Sequence, residues 1–312
     1  MKKDITRLVF SLVIVTILLV IVDLVVGFIA DKVVDKMPNY SGQIAKDNYR
    51  LHRLETDIVI LGSSRGSHHY VTALLSDSID SYKGKHYSIY NAAIDGKFAN
   101  SNLCAAEMII SRYSPKLVII DLSESQLVSE DVSDIKFSSP FYRKDSIVRK
   151  YLDNISFEEK MLMKSSLYRY NGKLLRIVSS FLKQKKTDDG YLPLYGSTID
   201  SSKYNKPLIK NPEIRILNPY TKTNFRCVLK KYASKRIPLI IACSPCFRPS
   251  NNNNKLRELC NEYDVPFIDM YDLEYFNDRQ ELFKDASHLN NDGAHAYTKI
   301  FLKKLKPYLD DI

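Results

Sequence analysis

One serine and one histidine–aspartate pair are the residues of this sequence whose types and spacing fit covalent chemistry. The apolar, β-branched run at 58–61 ends in Gly62-Ser63-Ser64-Arg65-Gly66, a pattern typical of a buried strand that presents a serine at a tight turn. Near the other end of the chain, Asp285 lies three residues before His288. A serine hydroxyl becomes a useful nucleophile when a histidine accepts its proton and a carboxylate orients the histidine. We therefore predict Ser64 as nucleophile, His288 as base and Asp285 as orienting acid.

The turn leaves some alternatives open. Ser63 is a rival nucleophile, since it lies next to Ser64 at the same turn. The turn also fits the pattern G-x-S-x-G, with Ser64 as its serine. Hydrolases built on that turn place the acid well before the histidine, whereas here the two are close neighbours, which argues against that class of hydrolase. His68 and His69 follow the turn on a predicted helix. They either line the pocket or take an ordinary surface or core position, and we favour the second interpretation.

Together, Gly62-Ser63-Ser64-Arg65 and Asp285-x-x-His288 resemble the first and last blocks of the SGNH/GDSL hydrolase superfamily, over about residues 55–310. The resemblance implies a Ser64–His288–Asp285 triad. It also implies an oxyanion hole formed by the backbone N–H groups of Ser64 and Gly96 and by a side chain of the third block.

The third block of this sequence differs from the third block of that family. Its usual Gly-x-Asn-Asp is replaced by Ser123-Glu124-Ser125-Gln126 after the apolar run 117–122. By position Ser125 takes the place of the asparagine, with Gln126 as another donor. This departure resembles divergent members, including membrane-anchored proteins that help to acylate cell-envelope polymers.

The elements that must position these residues follow an α/β pattern. Short apolar runs alternate with helical stretches, which predicts strands at 58–61, 87–90, 117–122, 238–243 and 266–268. We predict a three-layer αβα sandwich with a mainly parallel five-stranded sheet, which the resemblance describes as a flavodoxin-like SGNH fold. Ligands of such sheets bind at the carboxyl ends of the strands, where Ser64 is expected. A helix starting near Asn290, with Ala294, Tyr297, Ile300, Phe301 and Leu305 on its apolar face, would fix the loop that carries His288.

Composition indicates an ordinary globular protein. The chain has 312 residues, of which 45% are hydrophobic and 26% charged, enough for one large α/β domain and an appendage. The five cysteines do not form a disulfide framework in a chain of this length. Cys243-Ser244-Pro245-Cys246 has C-x-x-C spacing, and structural cysteines, a disulfide and a metal site remain open in that order of preference. No metal or organic cofactor is indicated.

The basic charge is concentrated in the middle of the chain. Of the net charge of +10, the segment 141–236 contributes 22 Lys and Arg against 8 Asp and Glu. Such a surface suits nucleic acid, anionic glycans or acidic lipid headgroups, or is simply a solvated helical surface. We predict no nucleic-acid partner, because no motif for one is visible and the segment is expected to be exported.

The N-terminus predicts a membrane anchor. The run 8–30 is almost wholly apolar and long enough to span a bilayer, whereas a cleaved signal peptide has a shorter apolar region. Basic residues precede the run and the charges after it nearly cancel, so residues 1–7 should be cytoplasmic and the remainder exported to the periplasm or cell surface. Asp23 lies in the outer half of the span, where its cost is smaller, or marks a helix partner within the membrane.

The remaining sequence divides into a stalk at 31–55 and the SGNH-like domain at 56–312. Within that domain, an insertion at about 125–235, with a helical stretch at 156–182 and a turn-rich segment at 188–194, is predicted to form a cap over the site. The predicted function is a serine-dependent esterase or O-acyltransferase that acts on an acylated cell-envelope glycan or similar polymer, with a membrane acyl-transfer partner in the second case. The alternative is a non-catalytic envelope protein that binds an anionic glycan or a membrane partner.

Overall fold

The computed structural model of the chain describes residues 2–37, 42–182, 189–199, 216–249, 252–310 and 312. Contacts between Cα atoms divide the chain into two compact units. We call Met1–Asn48 with Phe137–Gln184 the helical unit, and Tyr49–Lys136 with Lys185–Ile312 the sheet unit. Parts of the predicted stalk, at 38–41, and of the predicted insertion, at 183–188 and 200–215, lie outside the described residues.

The strands and helices are numbered separately in chain order. The strands are β1 (Ile58–Gly62), β2 (Ile89–Asn91), β3 (Leu117–Asp121), β4 (Leu239–Cys243), β5 (Phe267–Asp269), β6 (Phe283–Asp285) and β7 (His288–Leu289). The α-helices are α1 (Lys2–Asp35), α2 (Gly42–His52), α3 (Ser64–His69), α4 (Thr72–Lys83), α5 (Ala99–Arg112), α6 (Glu124–Val128), α7 (Ser146–Asp153), α8 (Phe157–Leu162), α9 (Ser166–Tyr170), α10 (Leu174–Leu182), α11 (Pro219–Lys235), α12 (Asn254–Glu262), α13 (Glu274–Asn277) and α14 (Asn291–Leu305). Short 3₁₀ helices occupy Ser133–Phe141, Gln280–Leu282 and Lys306–Tyr308.

A five-stranded parallel sheet in the order β2-β1-β3-β4-β5 forms the centre of the sheet unit. β1, β3 and β4 are buried along their whole length, as expected for Val- and Ile-rich strands covered by helices on both faces. The predicted α/β class with a parallel five-stranded sheet is therefore confirmed. The ends of each predicted strand differ by at most two residues from those of an observed strand.

Helices cover both faces of this sheet. Ile58 and Ile60 of β1 share one hydrophobic cluster with residues of α4 and α14. The alternate residues Val59 and Leu61 are also buried, and α5 packs against β1 and against α11. Because side chains alternate along a strand, these two sets lie on opposite faces of the sheet, which gives three layers.

The segment that carries Asp285 and His288 is a small antiparallel hairpin of β6 and β7, where the sequence predicted a loop. The predicted cap of the next helix is confirmed, since Asn290 Oδ1 accepts a hydrogen bond 3.0 Å long from the N–H of Gly293. Of the predicted apolar stripe of α14, all residues except the half-buried Ile300 are fully buried. The hairpin is thus fixed to the core by the helix that follows it.

The helical unit begins with α1, a single helix of 34 residues that is long and apolar enough to cross a membrane. The helix continues past residue 30 to Asp35, and α2 follows it. Most of the predicted stalk is therefore helical. The reason is that apolar residues recur there at helical spacing, and Val34, Ile44 and Leu51 are buried.

The predicted helical stretch at 156–182 is divided into α8, α9 and α10. Ser156 and Ser165 are N-caps whose hydroxyls accept hydrogen bonds from the N–H groups of Glu159 and Tyr168, so that each serine starts a new helix. Gly172 lies just before α10 with a φ of +67°, a conformation that favours glycine. Caps rather than hydrophobic periodicity set these boundaries.

Candidate active site

Ser64, His288 and Asp285 are hydrogen-bonded in a row, although 224 residues separate the serine from the histidine. His288 Nε2 lies 2.7 Å from Ser64 Oγ. On the other side of the ring, His288 Nδ1 lies 2.8 Å and 3.0 Å from the two carboxylate oxygens of Asp285. Since a carboxylate accepts, Nδ1 carries the proton and Nε2 is free to take the proton of the serine hydroxyl.

Asp285 is held by three donors. Besides His288 Nδ1, the backbone N–H groups of Ser287 and His288 donate to Asp285 Oδ1 at 2.9 Å and 3.0 Å. Partial burial raises the pKa of Asp285, but the hydrogen bonds from the His288 ring and the Ser287 backbone outweigh it, so the pKa lies below its ordinary value. The group is therefore ionised at neutral pH and suited to orienting the imidazole.

The position of Ser64 depends on close packing at two glycines. A Cβ at Gly62 would lie 3.0 Å from the Cβ of Asp121 and 3.1 Å from the Cα of Gly66, and one at Gly66 would lie 2.8 Å from the Cβ of Ala93. These approaches let the chain turn from β1 directly into α3. Ser64 is the first residue of α3, where a backbone N–H has no partner within the helix, and Ser63 is the N-cap.

His69 is a buried residue of the site that sequence reasoning favoured for an ordinary core or surface position. Its Nε2 accepts a 2.9 Å hydrogen bond from the N–H of Leu289, the residue after His288. Its Nδ1 therefore holds the proton and donates to Ser244 Oγ, 2.9 Å away. Burial and the positive charge of Arg65 hold the pKa of His69 well below its ordinary value, so the ring is neutral.

A buried polar network extends from Ser244 behind the site. The N–H of Ser244 and the hydroxyl of Tyr70 donate to Asp121 Oδ2 at 3.0 Å and 2.7 Å, and the hydroxyl of Tyr297 donates to that of Tyr70 at 2.9 Å. Burial and the neighbouring Asp121 carboxylate raise the pKa of Tyr70 well above its ordinary value, so Tyr70 stays a donor. The network connects α3, β3 and α14 to the hairpin. No local pattern in the sequence marks it, because its members come from distant segments.

His68 lies on the other side of the base, with its ring centroid 5.8 Å from that of His288. Its Nδ1 donates to the carbonyl of Leu192 at 2.6 Å, and its Nε2 lies 3.3 Å from Asp95 Oδ2. Because both partners accept, the two bonds together need a proton on each ring nitrogen. The described part of the turn-rich segment therefore reaches the site, and the N–H of Leu192 also donates to the carbonyl of Ser67.

The predicted oxyanion donors Gly96 and Ser125 follow β2 and β3, the two neighbours of β1 in the sheet, so they share its carboxyl edge with Ser64. Gly96 has a φ of +73° and Ser125 Oγ is hydrogen-bonded to Ser123 Oγ at 2.8 Å. Ser125 and Gln126 line a cavity of about 160 Å³ together with Asp134. Burial raises the pKa of Asp134 to about 6, since its hydrogen bond from the N–H of Ser101 only partly offsets the loss of solvent.

The five cysteines are free thiols. Cys243 ends β4 and is buried, and Cys246 donates from Sγ to the carbonyl of Ala286 at 3.1 Å, within the hairpin that carries Asp285 and His288. Burial raises the pKa of Cys246, which keeps the thiol protonated as a donor. Within the residues that the structure describes, no cluster of three or more His, Cys, Asp or Glu side chains could hold a metal ion.

No known family model matches the sequence, and no curated protein matches it. Solved structures similar to the chain include a lipase/acylhydrolase from Enterococcus faecalis, with 11% identity and a TM-score of 0.41 over 80% of this chain and 96% of that one. AlinE4, an SGNH-hydrolase family esterase, matches with 12% identity and a TM-score of 0.35 over 82% and 96%. A two-domain esterase active on acetylated mannans, co-crystallized with mannopentaose, matches with 12% identity and a TM-score of 0.45 over 88% of this chain and 56% of that one. Other similar structures are described as an acylhydrolase, a GDSL-like lipase and an esterase, with 9–12% identity and TM-scores of 0.34–0.39.

Proposed function

We propose that this protein is a serine-dependent esterase or O-acyltransferase in which Ser64, His288 and Asp285 are the catalytic triad. The single observation that carries the proposal is the row of contacts from Asp285 through His288 Nδ1 and Nε2 to Ser64 Oγ. A hydrogen bond between a serine and a histidine can form without a carboxylate, so the contact of Asp285 with His288 calls for a further reason. A carboxylate that fixes the tautomer able to deprotonate the serine is what acyl transfer requires.

In the proposed reaction Ser64 Oγ attacks the ester carbonyl while His288 Nε2 takes its proton. His288 then returns the proton to the leaving alcohol, and an acyl group remains on Ser64. Water as the second acceptor gives hydrolysis, and a glycan hydroxyl gives transfer. The negatively charged oxygen of the tetrahedral intermediate accepts hydrogen bonds from the N–H groups of Ser64 and Gly96 and from the Ser125 hydroxyl. By sequence position, Ser125 replaces the family's asparagine.

We further propose that α1 anchors the protein in a membrane with the N-terminus in the cytoplasm. Its 34 residues correspond to about 51 Å of helix, more than the roughly 30 Å of a hydrocarbon core, and nearly all its apolar side chains are exposed. Basic residues at its start and balanced charge after it support this orientation. An exported domain with a basic surface suits an acylated envelope glycan as substrate.

Labelling with a fluorophosphonate probe tests the nucleophile. We expect the full chain in detergent micelles to be labelled, Ser64→Ala and His288→Ala to lose the label, and Ser63→Ala to keep it, because Ser63 makes no side-chain cap bond. Folded wild-type protein that takes no label would overturn the enzyme and favour the non-catalytic glycan-binding alternative, which the missing third-block asparagine supports.

A further inference from the structure

Asp23 of α1 is bound by the start of α9, 142 residues later in the chain. Its Oδ1 accepts hydrogen bonds from Ser165 Oγ at 2.6 Å and from the N–H of Leu167 at 2.8 Å, and its Oδ2 accepts from the N–H of Ser166 at 3.0 Å. A carboxylate inside an apolar span is costly unless it is paired with donors. The partner of Asp23 therefore lies in this same chain.

The contact between α1 and α9 continues for two further turns. At Gly27 the helices are so close that a Cβ would lie 2.2 Å from Ser166 Oγ and 2.8 Å from Ser166 Cβ. One turn later Asp31 accepts a hydrogen bond from the Tyr170 hydroxyl and lies 3.8 Å from Arg169 Nη1. Gly27, Ala30 and Val34 lie on one face of α1 and are buried. The contacts at Asp23, Gly27 and Asp31 give α9 a fixed height along α1.

That height corresponds to the outer boundary of the bilayer. About 20 residues cross the hydrocarbon core. Counted from Leu8, where the apolar run begins, they end near Gly27. Asp23 and Asp31 lie on either side of this point, and α9 binds both. The helices that flank α9 in the chain, α8 and α10, are consequently placed where acyl chains meet headgroups.

The helices α8 to α10 expose apolar side chains that a water-facing surface would not carry. Outside α1, the described residues contain fourteen exposed large hydrophobic side chains, and nine of them lie between residues 157 and 182. Leu175 is 85% exposed, and Phe157 and Leu182 are each 79% exposed. In α10, Leu174, Leu175, Val178 and Leu182 lie on one face, and the buried Ser180 lies on the opposite face. A patch of this size marks an interaction surface.

The charge of the same segment selects the partner. Residues 137–182 contain nine Lys and Arg against four Asp and Glu, and Lys160, Lys164 and Arg176 are exposed on or beside the helices that carry the apolar face. An apolar face bordered by cations is typical of helices that lie in the interface plane of a membrane with anionic lipids. A second protein would not need the surface to lie at the height of the lipid headgroups.

We infer that α8 to α10 form a second membrane contact, which lies in the outer leaflet beside α1 and binds anionic lipid. Asp23 then has a structural role, since it ties this interfacial surface to the span. The inference rests on the proposed anchoring by α1, and it gives this part of the predicted cap a lipid partner instead of substrate.

Tryptophan fluorescence in brominated lipid tests the contact, because the chain has no tryptophan. The full chain is reconstituted in vesicles of phosphatidylcholine and phosphatidylglycerol that are brominated either in the upper acyl chain, at the depth expected for residue 175, or near the chain end, at the depth of residue 18. Leu175→Trp is the test variant, Leu18→Trp on α1 reports the anchor, and Tyr275→Trp is an exposed control site in the sheet unit. We expect the emission of the first two to fall by about half relative to unbrominated vesicles, and that of the third to stay unchanged.

The possible results distinguish the anchoring by α1 from the second membrane contact. Quenching at residue 18 but not at residue 175 would overturn the second contact and leave the anchor in place. A blue-shifted, unquenched signal at residue 175 would assign the surface to a protein neighbour and overturn the lipid. No quenching at either residue would overturn the anchor and the contact together. Fluorophosphonate labelling of the same three variants reports Ser64 independently of all these outcomes.

Discussion

Two aspartates of this chain are bound in nearly the same way and serve different ends. Asp285 in the sheet unit accepts from two backbone N–H groups and from the ring of His288. Asp23 in the helical unit accepts from two backbone N–H groups and from the hydroxyl of Ser165. In each case the amides fix the carboxylate. The third donor decides what the carboxylate does.

The third donor of Asp285 has a second nitrogen that faces Ser64, so the charge of Asp285 reaches a reacting atom through one ring. The third donor of Asp23 is a serine that also caps α9, where its Oγ accepts from the N–H of Tyr168, so its contacts end in the fold. Charge at Asp285 should therefore matter for rate, and charge at Asp23 for the attachment of α9. Substitutions at the two positions separate these effects.

Replacing each aspartate with asparagine should give the largest contrast. In Asp285→Asn the side chain keeps an oxygen for the Ser287 and His288 amides but cannot stabilise the imidazolium, so kcat/KM for an aryl ester should fall on the order of 10⁴-fold. Asp23→Asn should leave hydrolysis near the wild-type rate. Equal losses of kcat/KM in the two variants, measured under the same lipid conditions, would contradict the separate roles of Asp285 in catalysis and Asp23 in structure.

Gly27→Ala tests the attachment at its tightest point. The added Cβ would lie 2.2 Å from Ser166 Oγ, and such overpacking should lower the free energy of unfolding by about 1–3 kcal/mol in denaturant titrations of the full chain in micelles. The double variant Gly27→Ala with Ser166→Gly should recover part of this loss, because it removes both clashing atoms. Independent, additive effects would show that the two residues do not touch.

His69 should make stability fall in mild acid. Its pKa is lowered in the folded state, so below about pH 6.5 the unfolded chain binds a proton that the folded chain does not, and stability is lost as pH falls. The contribution is up to about 1.4 kcal/mol per pH unit. Denaturant titrations at several pH values between about 7 and 5 give the free energy of unfolding at each pH. This free energy should fall less steeply with decreasing pH for His69→Gln than for wild type. Parallel slopes would place His69 in solvent.

The smallest effect is expected at the start of α9. Asp23→Ala removes the acceptor of two amides, and the loss of such a cap costs about 1 kcal/mol, or roughly fivefold faster hydrogen exchange at Leu167. Asp23→Asn should preserve most of the protection, because its oxygen still accepts. Fast exchange at Leu167 already in the wild type would show that Asp23 does not cap this helix.

The sequence predicted those parts of the molecule that depend on neighbours in the chain. The apolar runs located the five strands, the Asn290 cap located α14, and the glycine-rich turn located Ser64. Asp285 and His288 were readable because they lie three residues apart on one short hairpin. The hydrogen bond between His288 and Ser64 follows from the parallel sheet, which brings strand ends and the segments that follow them to one edge.

The remainder depended on contacts between distant segments. Nothing near His69 marks it as the acceptor of Leu289, since that bond exists only once α3 and the hairpin are in place. Asp23 left two interpretations open, and its donors at Ser165 to Leu167 come from a stretch whose division into three helices the periodicity did not reveal. Hydrophobic spacing placed Leu175 in a helical stretch, but whether it faces a core or lipid is a property of tertiary packing.

Trapping the acyl group tests the role of Ser64 most directly. The full chain is mixed with an aryl acetate, stopped with acid within the first turnovers, and digested for peptide mass spectrometry. We predict an acetyl group on Ser64 and none on Ser63, and no acetylation in His288→Ala. Ester hydrolysis that proceeds with Ser64 unmodified, or acetylation that persists without His288, would contradict a Ser64–His288 pair that works through an acyl-enzyme.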